Sequence, residues 1–133
     1  MNRDTYPTLP AMERAAEDRL RELAASVELP FRGSDPTDGP GGAVAVGADR
    51  FVVTCRRASD AASIVGAIRR ALDDGSRPRR TRPLLCVLHM GPAGRKLCAE
   101  AGLGWFDLSG NADLRGTGLR IRIDGQRNRF PRP

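Results

Sequence analysis

Aromatic side chains are scarce in this chain: Phe, Trp and Tyr make up 5% of its 133 residues. Stacking platforms for nucleobases are therefore few, and the core has to be assembled from Leu, Val, Ile and Ala. No apolar run approaches the roughly 20 residues of a membrane helix, and residues 1–10 carry no apolar stretch of a secretory signal. A cytoplasmic protein with no membrane partner is expected. The three cysteines, Cys55, Cys86 and Cys98, are an odd set without a CxxC pair, which argues against a disulfide scaffold. Two of them lie in apolar runs, where a thiol packs as a small hydrophobe. His89 is the only histidine, so zinc lacks its usual ligand spacing, and no cofactor is expected. Walker, Rossmann and GxSxG motifs are missing too.

Basic residues are abundant by contrast. Lys and Arg number 22 against 16 Asp and Glu, a formal charge of +6, and Lys96 is the only lysine among them. GC-rich codons account for the choice of Arg over Lys, but not for the surplus of positive charge. That surplus points to an acidic partner, and the planar guanidinium fork suits phosphate.

At this length the chain accommodates one domain. A loose tail is expected over 1–10, a single α/β domain over 11–126, and a linker or terminal arm over 127–133. Ala16, Leu20, Leu23, Ala24 and Val27 recur at helical spacing, and Pro30 stops the helix. Gly33–Gly42 reads as a loop. Ala43–Val46 and Phe51–Cys55 read as an antiparallel hairpin turning at Gly47–Arg50. Ser59 is placed to cap a second helix, with Ala61, Ile64, Val65, Ile68 and Leu72 as its buried stripe and Gly75 as its end. Leu84–Leu88 is continuously apolar, as a central strand covered on both faces should be. Pro92 opens a third helix and Gly102 closes it, after which Trp105–Leu108 returns parallel to 84–88 through a right-handed crossover. Leu119, Ile121 and Ile123 alternate with Arg120, Arg122 and Asp124, the pattern of a half-buried strand turned back at Gly116–Gly118 against Ala112–Arg115.

The order helix, hairpin, helix, strand, helix, strand, hairpin, with the stretches FVVTCRR (Phe51–Arg57) and GWFDLSGNA (Gly104–Ala112) within Pro83–Arg127, resembles a bacterial family of nuclease-fold regulators. In that family a domain similar to the PD-(D/E)XK restriction-endonuclease core precedes a winged helix-turn-helix, and some members are labelled antitoxins of an abortive-infection type. The resemblance covers roughly residues 11–130. It implies an α/β fold with a restriction-endonuclease-like mixed sheet flanked by helices. Active nucleases of this fold hold Mg²⁺ with an Asp on the second core strand and the Glu of a Glu-x-Lys on the third. The matching third-strand positions here are Thr54-Cys55-Arg56, and Asp38 is the acid nearest the second-strand position. Hydroxyl replaces carboxylate, and the arginine has no proton to exchange at neutral pH. The resemblance thus implies a non-enzymatic domain used in nucleic-acid-linked regulation or defence.

Candidate phosphate contacts follow from the arginines. Arg56 and Arg57 precede the expected helix start at Ser59, where free backbone N–H groups suit phosphate. Arg77, Arg79, Arg80 and Arg82 form a proline-interrupted basic loop, and such charge runs are usually just solvated surface unless other arginines stand near. Arg120 and Arg122 lie about 7 Å apart on one strand face, a spacing that spans neighbouring phosphates and also protects a sheet edge. Asp107 and Asn111 read as turn-forming residues rather than a site, and Cys86 and His89 as residues on opposite strand faces. DNA is the expected partner. The alternatives are a homodimer or another protein partner held through the final hairpin, and a residual Mg²⁺ nuclease using Asp38 with Glu13 or Glu17.

Overall fold

Thr8 caps the first helix, its hydroxyl accepting from the Ala11 N–H, and α1 spans Leu9–Ser26. In this computed structural model, residues 6–34, 43–75 and 81–130 are described. Order thus starts ahead of Ala11. The helix stops before Pro30, at a Val27 cap followed by Glu28 in the left-handed region with φ 57°. Met12, Ala16, Leu20, Leu23 and Ala24 are its buried face, whereas Val27 is exposed because it caps rather than packs. Each buried Leu or Met contributes about 1.5–3 kcal/mol.

Seven strands follow in one sheet whose spatial order is the chain order: β1 Phe31–Arg32, β2 Ala43–Val46, β3 Asp49–Cys55, β4 Arg82–Val87, β5 Gly104–Asp107, β6 Ala112–Arg115 and β7 Arg120–Ile123. Helices α2 (Ala61–Gly75) and α3 (Pro92–Ala101) connect β3 to β4 and β4 to β5, and those three strands are parallel. The remaining neighbours are antiparallel. The mixed α/β sheet and the 84–108 βαβ unit therefore stand as the pattern indicated, with β4 at the centre. Gly102 ends α3 at φ 67°, as a left-handed cap requires.

Strand alternation divides the core in two. Phe51, Leu84, Cys86, Phe106, Leu114 and Ile121 meet α1 on one face. Leu85, Val87 and Trp105 meet Ile64, Ala67, Ile68 and Ala71 of α2 and Cys98 of α3 on the other. The expected α2 stripe is half right. Ile64 and Ile68 are buried, but Ala61, Val65 and Leu72 are exposed, because Ala67 and Ala71 bring the helix close to the sheet on a face rotated from theirs. Nor does Ser59 cap α2. Asp60 does, its carboxylate accepting from the Ser63 N–H at 2.8 Å. In the segment expected as a terminal arm from residue 127, residues 127–129 are exposed, and Phe130 is 6% exposed, crosses Tyr6 edge-on and accepts the Tyr6 hydroxyl at its carbonyl.

The sheet curls. The turn between β6 and β7 reaches the start of β3, where the Thr117 N–H donates to Asp49. Gly116 makes this approach possible, since a Cβ there would run into the Asp49 carboxylate.

Candidate nucleic-acid interface

The strand directions place one class of side chain together. β3, β4 and β5 begin at the same end of the sheet, and the β6–β7 turn comes round to that end. Arg32, Arg50, Arg82, Arg115 and Arg120 all stand there, on β1, β3, β4, β6 and β7. Arg50 and Arg82 share a cleft of about 400 Å³ with Ala48, Asp49, Thr81 and Thr117, and an adjoining cleft of about 380 Å³ has Arg32 and Arg50 on its walls. The result is an arginine rim along the amino ends of the parallel strands. Arg32 and Arg50 are exposed, with no ion pair among the described residues.

Two shielded aspartates order the other three arginines of this rim. Asp113, on the side of the sheet that faces α3, takes the Arg115 guanidinium at 2.8 Å and the Arg120 Nε at 3.0 Å. Burial works to raise the Asp113 carboxyl, but the hydrogen bonds and charges of Arg115 and Arg120 outweigh it and hold the acid below its usual value. Asp49 is similarly buried. It accepts from Thr117 and lies 3.7 Å from the Arg82 Nε, while Arg82 also donates to the Thr117 hydroxyl at 2.8 Å. Carboxylates form the inner layer and guanidinium groups the outer. Arg120 is 52% exposed and Arg122 64%, against 11% for Asp113. One turn of strand further on, Arg122 and Arg95 hold Asp124 between them at 3.2 and 2.7 Å. An aspartate that holds two forks in place cancels one of their two charges and leaves donors facing solvent.

Not every candidate arginine joins this arrangement. Arg82 and Arg120 do, with Thr117 linking Arg82 to the β6–β7 turn, whereas Arg122 stands two residues further along β7 and pairs with Asp124. Arg77, Arg79 and Arg80 lie outside the described residues, as does Asp38. Arg56 and Arg57 are exposed at the opposite, carboxyl end of β3, where Arg57 donates to the Pro7 carbonyl at 3.4 Å. The N-terminus of α2 beside them does not offer its N–H groups as expected, because the Asp60 carboxylate already occupies that position. In the sequence Arg50, Arg32 and Arg115 are each a single arginine in a strand, and only the curl of the sheet groups them.

The chain matches no family model, no curated protein and no solved structure.

At the positions matching the nuclease motif, Thr54 points to the α2 side and its hydroxyl donates to Asp74 at 2.7 Å; Asp74 is in turn paired with Arg70. Arg56 is exposed beyond the strand end. Glu13 and Glu17 belong to α1, on the other face of the sheet, and Glu17 is engaged by the Ser34 N–H at 2.8 Å. The sheet thus separates these acids from Thr54. No group of three or more His, Cys, Asp or Glu suited to a metal ion occurs among the described residues. A cleft of about 760 Å³ between α1 and the 108–130 segment has matched charges: its Arg19 is held by Glu22 and by the Gly110 carbonyl.

Asp107, the last residue of β5, is fully buried. Its carboxylate accepts from the backbone N–H groups of Met90, Ser109 and Asn111 and from the Asn111 side chain, at 2.8–3.0 Å. The turn reading of Asp107 and Asn111 accounts for these bonds. The additional link to Met90 ties the end of β5 to the entry of α3. His89 stands beside it with Nδ1 3.6 Å from Asp107 and otherwise unpartnered. Burial lowers the His89 pKa, Asp107 opposes this and Arg95 adds to it, so the ring is neutral at pH 7.

Proposed function

We propose that this protein is a non-catalytic nucleic-acid-binding domain of restriction-endonuclease-like fold, acting in regulation or defence in the cytoplasm and gripping the phosphate backbone of DNA through its arginine rim. The single observation that carries this reading is the layered arrangement at one end of the sheet, with five arginines outside and the buried carboxylates of Asp49 and Asp113 inside. Ordering of the Arg82, Arg115 and Arg120 forks by aspartate lowers the entropy lost when phosphate arrives. The order of elements supports the nuclease-like part: α1, a meander of three antiparallel-linked strands, α2, and a fourth strand parallel to the third. Thr54 and Arg56, standing where an active relative would carry Glu and Lys, support the non-catalytic part. Scarce aromatic residues favour backbone contact over base stacking.

The test is the double variant Arg120→Glu/Arg122→Glu in a fluorescence-anisotropy titration of a labelled DNA duplex at low salt. Binding should fall at least about tenfold, since two favourable charges become two repulsive ones. Unchanged affinity in a variant that keeps its far-UV spectrum contradicts the reading. So does cleavage of supercoiled plasmid by the native chain with Mg²⁺ that an Asp38→Ala substitution abolishes. β7 is an edge strand of the sheet, so light scattering of the same variant reports whether these arginines act instead in pairing two copies.

A further inference from the structure

Cys55 and Cys86 sit at the same register on the adjacent parallel strands β3 and β4. Both side chains emerge on the α1 face, where Cys86 is a member of the core and Cys55 packs against it. Neighbouring strands lie about 4.7–4.9 Å apart, inside the roughly 4.4–6.8 Å Cα separation that a disulfide spans. The Cys86 thiol donates to the Val87 carbonyl, at 4.0 Å. They differ in access: Cys86 is buried, and Cys55 is only partly covered. Cys98 belongs to α3, across the sheet, and is out of reach of either. Nothing in the proposed phosphate contact uses this pair.

We propose that Cys55 and Cys86 form an oxidisable dithiol, a modification site whose co-substrate is a hydroperoxide. Cys55, the thiol that solvent reaches, attacks the terminal oxygen of the peroxide. An S–O bond forms, the O–O bond breaks, and the alcohol or water leaves with the proton, giving Cys55 sulfenic acid. The Cys86 sulfur then attacks the Cys55 sulfur. The S–S bond forms, the S–O bond breaks, and the released hydroxyl takes the Cys86 proton and departs as water. Two thiols are oxidised and one peroxide is reduced. Cys86 takes the second role by position: it is buried away from the oxidant, and it stands at the same register as Cys55 on the neighbouring strand.

Intact-mass spectrometry of the native chain after one equivalent of hydrogen peroxide, followed by denaturation and alkylation, tests this directly. The expected product has lost about 2 Da and carries one alkyl group, on Cys98, in place of three, and dithiothreitol restores all three sites. Peptide mapping should join Cys55 to Cys86. In Cys86→Ala, Cys55 should stop at the sulfenic acid and be trapped by dimedone. The proposal is overturned if the native chain gains about 32 Da at Cys55 while Cys86 remains open to alkylation. It is equally overturned if all three thiols survive the peroxide.

Discussion

Single residues fix the shape of whole loops in this molecule. Asp107 gathers four donors from residues 90, 109 and 111, so one carboxylate sets the shape of two loops. The Asp-Leu-Ser-Gly-Asn run made the turn legible, because Asx and Gly residues at that spacing form side-chain-to-backbone bonds. The bond to Met90 was not legible, as it joins positions separated by the whole of α3. His89 carries the pH consequence. Its folded-state pKa is depressed below the ordinary value near 6.5, so the stability it contributes is complete above that value and is lost as pH falls through the folded one. Urea midpoints should therefore drop between about pH 7 and pH 5, and His89→Gln should remove that part of the decline. An identical drop in the variant would contradict the assignment. Asp113 also contributes stability that acid removes, but as a carboxylate depressed by Arg115 and Arg120 it does so at lower pH, where the two effects separate.

At the scale of elements, strong periodicity was legible and short elements were not. The alternation at Leu119–Asp124 became β7, and the apolar run at 84–88 became the central strand, because period and burial there agree. β1 was invisible: two residues between Pro30 and Gly33 show no period. The α2 face that packs differs from the stripe the pattern predicts, because alanines carry little hydrophobic signal yet allow the closest approach to the sheet. The same closeness governs α3. A Cβ on buried Gly94 would stand 2.5 Å from the Met90 sulfur and 2.9 Å from Ile64 Cγ2 on α2. Met90 has room to turn, but Ile64 lies in the core, so Gly94→Ala should cost about 1–3 kcal/mol for overpacking against about 1 kcal/mol of improved helix propensity. Chemical denaturation should show a net loss, and a stabilised variant would mean that α2 and α3 are less tightly packed than described.

Across the whole molecule, charge sign and charge position were legible to different degrees. The surplus of arginine is plain from composition, and Arg120 and Arg122 were legible as a strand face because alternation exposes them. The rim was not. Arg32, Arg50 and Arg82 are far apart in the chain and come together only because the sheet keeps its strands in order and then curls, with Thr117 and Asp49 closing the curve. The corner at Arg56 and Arg57 was legible but incomplete, since the sequence did not reveal that Asp60 rather than Ser59 caps α2. A rim that neutralises several phosphates must release their counterions. The decisive measurement is therefore the salt dependence of DNA-duplex binding by the native chain, plotted as log K against log salt. With about four or five phosphates neutralised, the slope should lie near −4, and it should not depend on the duplex sequence. A slope near zero, or no binding at 20 mM salt or below (roughly the low-salt limit for such contacts), would contradict the account.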